Sequence, residues 1–156
     1  MKKLISVIAT LLILTGCASK ADIAMLAPAN DRLTEAHKGA QIGCDNKRDC
    51  DKAFDLAKIY VQTNSDMKVQ FADSTLVSTA NTPSRGILDE RYDSLVSLQA
   101  TRTPGMGDSA VINLSGFCNG LDFYQEYRHT DEFVNCANKL TAIYDGFRPY
   151  IESRLK

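Results

Sequence analysis

Residues 94–117, SLVSLQATRTPGMGDSAVINLSGF, contain the clearest structural pattern in the chain. On both sides of a central Pro-Gly-Met-Gly-Asp, apolar residues alternate with polar ones: Val96, Leu98 and Ala100, then Ala110, Ile112 and Leu114. Alternation with a period of two is typical of strands that bury one face, and Pro and Gly favour a turn between them. Neighbouring strands joined by a short turn run antiparallel. The stretch therefore predicts a β-hairpin with strands at about 94–102 and 109–117.

A further strand is predicted upstream, over residues 67–79. Here too the apolar residues recur with period two, including Val69, Phe71 and Val77. Asp73 falls on the apolar face of this pattern, where an unpaired carboxylate is costly. Its position therefore predicts a bulge or a break in the middle of the strand.

Two helices are predicted, one on each side of these strands. The first covers about 51–64, where Ala53, Leu56, Ala57 and Tyr60 recur at helical spacing. The second begins near Asp131 and carries the apolar stripe Phe133, Ala137, Leu140, Tyr144 and Phe147. Pro149 is expected to kink or end this helix, because proline lacks the backbone donor and crowds the preceding turn.

These elements predict a small two-layer α+β domain over residues 44–156. In this arrangement, a three-stranded antiparallel sheet is covered by an N-terminal and a C-terminal helix, in the order α-β-β-β-α. A sheet with one apolar face needs such a cover. Residues 17–43 are rich in alanine and have a thin apolar pattern. They are expected to form a flexible tether.

Residues 1–16 have the composition of a secretory signal peptide. Lys2 and Lys3 precede an apolar run from Leu4 to Leu14, which is too short to span a bilayer as a helix. The last residue of the run begins the tetrapeptide Leu14-Thr15-Gly16-Cys17, which resembles the lipobox of bacterial lipoproteins. The resemblance implies cleavage before Cys17, a diacylglycerol on its sulfur and a further acyl chain, such as palmitate, on the new amino terminus.

The same resemblance implies a location for the chain. Two or three acyl chains hold a protein stably on a membrane, whereas one chain binds weakly. Ala18 stands where the family's inner-membrane signal would be Asp, which favours the outer membrane, with the domain facing the periplasm. An inner-membrane or Gram-positive location stays open, as does a plain signal peptide with a chance cysteine.

The other four cysteines, Cys44, Cys50, Cys118 and Cys136, form an even set in an exported chain. Such a set predicts two disulfides, and three pairings are possible. Cys44–Cys50 and Cys118–Cys136 are favoured because each closes a local segment. A zinc site made of all four thiolates is the competing interpretation, but zinc sites favour shorter Cys-Cys spacings than these.

The mature domain also resembles small uncharacterised lipoproteins of proteobacteria. The shared features are the cysteine pair Cys44 and Cys50, the strand opening Met67-Lys68-Val69-Gln70, and the turn Phe117-Cys118-Asn119. The resemblance implies no particular activity, because none is established for the group.

Charge and motifs exclude several classes of function. Without Lys2 and Lys3 the chain has 16 basic and 19 acidic residues, a formal charge of −3, which does not suit a nucleic-acid-binding protein. Neither a nucleophile-elbow motif nor a phosphate loop is present. The acidic residues between 45 and 55 alternate with lysine and arginine and are interpreted as a solvated surface. His129, beside Asp131 and Glu132, is interpreted as a loop histidine, with a metal or acid–base site as the alternative.

The sequence therefore predicts a non-catalytic adaptor or structural module, anchored to membrane lipid through Cys17. It is expected to bind another component of the envelope, such as a protein, and to need no metal or cofactor. Phe123, Tyr124 and Tyr127 are candidate partner-binding residues, because exposed aromatic side chains are common in interfaces. A binding module for a small apolar or lipid-like ligand, held between helices and sheet, is the alternative.

Overall fold

The structure, a computed structural model, describes residues 20–80, 95–119 and 130–155. These residues form three helices and five strands. In chain order the elements are α1 (Lys20–Gly39), β1 (Gln41–Cys44), α2 (Lys47–Asn64), β2 (Val69–Ala72), β3 (Leu76–Thr79), β4 (Leu95–Pro104), β5 (Ala110–Asn119) and α3 (Thr130–Leu155).

The five strands form one antiparallel sheet in the order β1-β5-β4-β3-β2. Its centre is the predicted hairpin, in which β4 and β5 pair continuously from Leu95↔Asn119 to Pro104↔Ala110. Gly107 has a φ of 65° in the connecting turn, a conformation that glycine adopts without steric cost. The hairpin predicted from the alternation in residues 94–117 is therefore confirmed, both in its strands and in their pairing.

The prediction of a three-stranded sheet in the order α-β-β-β-α is wrong. The sheet has five strands, and three helices accompany it. One missed helix, α1, and all but the last residue of one missed strand, β1, lie in the stretch 17–43 that was expected to be a flexible tether. β1 pairs with β5, through Gln41↔Asn113 to Cys44↔Ala110, so its partner lies about seventy residues away in sequence.

The other missed strand results from a turn at Asp73, which divides the predicted strand 67–79 into β2 and β3. Asp73 Oδ1 accepts hydrogen bonds from the backbone N–H groups of Thr75 (2.6 Å) and Leu76 (2.8 Å). An aspartate that caps its own turn in this way stabilises a chain reversal. These hydrogen bonds from the backbone also hold the pKa of Asp73 below its usual value. The expected break is therefore a hairpin turn.

α2 and α3 cover one face of the sheet, and one apolar core fills the space between. Its largest fully buried side chains include Phe54 from α2, Phe147 and Ile151 from α3, and Leu98, Ile112 and Leu114 from the central strands. Burying a side chain of this kind contributes about 1.5–3 kcal/mol. Because Leu98, Ile112 and Leu114 lie in this core, the even-numbered residues of β4 and β5 face the helices.

The helices differ from their predicted bounds in two respects. α2 begins at Lys47 rather than near Asp51, because Asn46 provides the N-cap by accepting a hydrogen bond from Asp49 N. α3 does not end at Pro149 but continues to Leu155.

α1 packs beside α3, where the His37 and Tyr144 rings lie 5.0 Å apart. The Ala40 carbonyl that follows α1 accepts a hydrogen bond from Leu114 N.

Both favoured cysteine pairs are disulfide-bonded in the structure. Cys44–Cys50 joins β1 to the start of α2, with Cα atoms 5.2 Å apart. Cys118–Cys136 joins the end of β5 to α3, with Cα atoms 6.0 Å apart. Cys50 and Cys136 are fully buried. The two bonds therefore attach a helix to the sheet at each end of the domain.

Candidate functional site

The face of the sheet opposite α2 and α3 is the candidate functional surface. We call it the open face and define it by the residues that alternate with the core positions of the strands. They are Gln41, Gly43, Phe71, Leu76, Ser78, Leu95, Ser97, Gln99, Thr101, Thr103, Val111, Asn113, Ser115 and Phe117, and Ser97 among them is only 1% exposed. None of these residues belongs to the core between sheet and helices.

Strand register arranges the middle of the open face in two parallel rows. One row is Gln41, Asn113, Thr101 and Leu76, and the other is Ser115, Gln99, Ser78 and Phe71. Residues that oppose each other in an antiparallel sheet project from the same face, and strands lie about 4.8 Å apart. Each row therefore spans about 14 Å across four strands.

The middle of the open face presents amide and hydroxyl groups that are not used within the described chain. In residues 20–80, 95–119 and 130–155, the side chains of Gln41, Gln99, Thr101 and Asn113 make no hydrogen bond. Gln99, Thr101 and Asn113 are only partly exposed. Unused polar groups in such a position are available to a ligand.

The open face carries no ionisable side chain. Arg102 is the only charged residue in the five strands. It projects to the helix side, where its Nη1 donates to Asp51 Oδ1 at 2.7 Å. The neutrality of the open face contrasts with α2, on which aspartate, lysine and arginine are frequent.

Large apolar side chains lie at the margins of the open face. Phe117, near the end of β5, is 53% exposed, and Phe71, on the edge strand β2, is 49% exposed. Val111 lies near the other end of β5 and is also exposed. Phe117 and Val111 are six residues apart, or about 20 Å along a strand. The surface is therefore polar in the middle and aromatic or aliphatic at its edges.

A shallow cleft of about 390 Å³ lies on the helix side of the sheet. It is lined by the last two residues of α2 and the two that follow, 63–66, and by Lys139, Ala142 and Ile143 of α3. Its two charged groups bind each other, because Lys139 Nζ lies 2.6 Å from Asp66 Oδ2. The same carboxylate oxygen accepts from Val96 N at 2.7 Å. Asp66 therefore holds the start of β4, and we assign the cleft a structural role.

The acidic residues near the start of α2 are used in capping and ion pairing. A hydrogen bond from the Asn46 side chain holds the pKa of Asp49 below its usual value. Hydrogen bonds from Lys47 and then Arg102 do the same for Asp51. In the part of the chain that the structure describes, no group of three His, Cys, Asp or Glu side chains could hold a metal ion.

Several predicted site residues lie outside the described residues. These are Cys17, Phe123, Tyr124, Tyr127 and His129. The four remaining cysteines form the two disulfides. Sequence reasoning missed the open face as a site, although the polar positions of β4 and β5 were visible as the alternate residues of the predicted hairpin.

Comparisons with known proteins add no family assignment. No protein-family model, curated protein or solved structure matches the chain. Among the described helices, none is both long enough and apolar enough to cross a membrane.

Proposed function

We propose that this chain is a lipid-anchored envelope lipoprotein that acts as a non-catalytic adaptor. In this proposal, acyl chains on Cys17 hold it on the outer membrane, facing the periplasm, and the open face contacts another component of the envelope. The observation that carries the proposal is that the described helices all pack on one side of the sheet. Helices cover one face, and the other presents a row of amides and hydroxyls that the described chain does not use.

Two further features support the proposal. The lipobox-like Leu14-Thr15-Gly16-Cys17 follows a short apolar run, and such a motif provides an anchor without a spanning helix. Both disulfides suit an oxidising compartment outside the cytoplasm. Between sheet and helices, most of the described core side chains pack as one cluster, and Cys44, Cys50 and Ala110 form a small second one. This packing favours the adaptor over the alternative of an apolar ligand held there.

The anchor is tested by fractionating cells that express the chain or its Cys17→Ser variant. The wild-type chain should remain with the membrane after a high-salt wash, and mass spectrometry of its amino-terminal peptide should show acylation. The variant should lose the acyl mass and leave the washed membrane. An unacylated wild-type chain, or a variant that fractionates like the wild type, would overturn the anchor.

The adaptor role is tested separately with a photo-crosslinking residue introduced in intact cells. Position 117 lies on the open face, and position 62 lies on the exposed side of α2 and provides the matched control. We expect a crosslinked species of reduced mobility from position 117 and none from position 62. Identical patterns from both positions would contradict a role for the open face.

A further inference from the structure

We propose that α1 is a rigid linker helix that holds one end of the domain against the lipid bilayer. That end is the one at which α1 and α3 begin, and the partner is the lipid surface that receives the acyl chains of Cys17. The inference rests on the proposed function, because it needs the anchor. It deepens that function by giving the domain a fixed orientation on the membrane.

The chain between the anchor and the folded domain is short. α1 begins at Lys20, three residues after Cys17. Three residues span at most about 10 Å when fully extended, whereas a flexible tether over residues 17–43 could span on the order of 80 Å. The start of α1 therefore lies close to the lipid surface whatever path those three residues take.

α2 packs against one flank of α3. The Tyr60 hydroxyl of α2 donates to the Ile143 carbonyl at 2.7 Å, and the Tyr60 and Tyr150 rings lie 5.0 Å apart. A Cβ at Gly146 would lie 2.7 Å from the same hydroxyl oxygen. Positions 143, 146 and 150 are three and four residues apart, so they lie on the same side of α3.

The flank of α3 turned away from α2 shows where α1 packs. Ala137 and Tyr144 are buried on it. One and two turns further along, the Arg148 and Glu152 side chains are 61% and 49% exposed. All four lie on one side of the helix, because they are seven, four and four residues apart. α1 therefore covers this flank in the first part of α3 and no further than about Tyr144.

The contact at the end of α1 gives its direction. His37, in the last turn of α1, lies beside Tyr144, where the covered part of the flank ends. The rest of α1 therefore runs back towards the start of α3, and the two helices are parallel. Their buried residues have matching intervals, since Ala29 and Ala36 are seven residues apart, as are Ala137 and Tyr144.

Helix lengths place both starts at the same end of the domain. From His37 back to Lys20, α1 extends about 26 Å, and from Tyr144 back to Thr130, α3 extends about 21 Å. Because His37 and Tyr144 lie side by side, Lys20 lies level with the start of α3 or just beyond it. The end of the domain that contains Thr130 is therefore the one nearest to Cys17.

The β4–β5 turn lies at the opposite end. Along α3, Cys136 is bonded to Cys118 and the following turn places Leu140 against Gly116, so α3 and β5 run in opposite directions. The turn before β5 is therefore far from the start of α3. Met106 in this turn is almost fully exposed. In the proposed orientation it points away from the bilayer.

This orientation restricts the partner of the adaptor. α3 has 26 residues, a length of about 39 Å. With at most about 10 Å between Cys17 and α1, the described part of the domain stays within about 50 Å of the lipid surface. The envelope component that it contacts must therefore present its binding surface within that distance of the membrane.

The test uses the full acylated chain, inserted from detergent into preformed vesicles of phosphatidylethanolamine and phosphatidylglycerol. A fluorescent amino acid replaces Asp131, exposed near the start of α3, or Met106, and some lipids carry a short-range nitroxide quencher on the headgroup. Because the two positions lie at opposite ends of a domain about 39 Å long, quenching should be at least about twofold stronger at 131 than at 106. Equal quenching, or stronger quenching at 106, would overturn the proposal.

A longer attachment provides the comparison. A Gly/Ser linker of about 20 residues, inserted between Ser19 and Lys20, has a root-mean-square length of about 25 Å and leaves the lipobox-like motif and α1 intact. It should lower the quenching at position 131 and remove most of the difference between the two positions. A chain without the insertion that behaves like the linker variant would contradict a rigid attachment.

The packing of α1 on α3 is tested with a pair of variants. Ala29→Glu places a carboxylate in this contact, outside the main core cluster, and should reduce the difference in quenching as the linker does. Asn30→Glu adds the same side chain at an exposed neighbour and should leave the difference unaltered. Equal effects of the two would contradict the role of the packing. Thermal unfolding checks that both fold, and the linker insertion decides if Ala29→Glu does not.

Mass spectrometry of the inserted chain separates this inference from the anchor on which it rests. An acylated chain with equal quenching at both positions would overturn the rigid attachment and leave the anchor of the proposed function standing. A chain without acyl groups would overturn both.

Discussion

Arg102 Nη1 lies 2.7 Å from Asp51 Oδ1, so the only charged side chain of the five strands is tied to the beginning of α2. The Arg102 side chain is 19% exposed, whereas that of Lys47, the other partner of Asp51, is 75% exposed. Ion pairs between exposed side chains contribute little, because water and salt screen them. The Arg102 pair is better shielded, and it joins two elements that are distant in sequence.

Arg102→Met should therefore destabilise the domain. It removes the guanidinium group but keeps much of the apolar stem, so the loss reports the ion pair more than the packing. Lys47→Met makes the corresponding change at the exposed partner and should leave the midpoint of urea unfolding almost unaltered. The measurement is that midpoint for both variants at neutral pH. Equal shifts in the midpoint for the two variants would show that the Arg102–Asp51 pair stabilises the domain no more than the exposed Lys47–Asp51 pair.

Tyr60→Phe should cost about 1 kcal/mol in the free energy of unfolding at neutral pH. The buried Tyr60 hydroxyl donates to the Ile143 carbonyl of α3 at 2.7 Å, and phenylalanine leaves this contact unmade. Tyr150→Phe is the control, because in the described part of the chain the Tyr150 hydroxyl makes no hydrogen bond. Urea unfolding of both variants should show a loss only for Tyr60→Phe.

The same residue gives a pH dependence. Burial, and secondly Tyr150, raise the pKa of Tyr60 above its ordinary value of 10.0. The folded chain therefore holds this proton more tightly than the unfolded chain. The resulting contribution is complete below pH 10 and is lost as the pH rises through the raised pKa. Wild-type stability should fall more steeply above about pH 10 than that of Tyr60→Phe; parallel profiles would show that Tyr60 does not carry the effect.

Gly116→Ala should destabilise the domain by about 1–3 kcal/mol, the usual cost of overpacking a core. A Cβ at this position would collide with Leu140 Cδ2 of α3 and lie 2.9 Å from Leu98 Cδ2. Gly43→Ala on β1 is the matched control, since nothing lies within 4 Å of its Cβ position. That change should be neutral or slightly stabilising, because alanine restricts the unfolded chain.

Thermal or urea unfolding measures both glycine variants. Gly116→Ala should cost less stability in a Leu140→Ala background than in the wild type. The truncated side chain at position 140 leaves room for the new methyl group. An additive result in that double variant would contradict the packing explanation.

The central hairpin and α2 could be predicted because their patterns are local. β4 and β5 repeat the apolar alternation over ten residues each, and α2 repeats a helical stripe over eighteen. β1 could not be predicted in the same way. It has only four residues, Gln41–Cys44, with two buried positions, and it forms because β5 provides a distant edge for pairing.

α1 was missed for a different reason. It contains Pro28, which argues against a helix, and its buried residues are mostly small, such as Ala29 and Ala36. Its packing beside α3, not its own sequence pattern, explains why it is helical. The open face could be predicted only in part. Its polar residues were evident as alternate positions, but strand register was needed to show that Gln99, Thr101 and Asn113 lie side by side.

The two disulfides should differ in the stability that they contribute. Cys118–Cys136 closes a loop with a sequence separation of 18, and Cys44–Cys50 one with a separation of 6. In the chain-entropy model these loops correspond to about 3 and about 2 kcal/mol, because a longer loop loses more freedom in the unfolded chain. Replacing both Cys118 and Cys136 with alanine should lower the midpoint of urea unfolding more than replacing both Cys44 and Cys50. A larger loss for the shorter loop would mean that the contacts of Cys44 and Cys50 beside Ala110, and not loop closure, dominate their contribution.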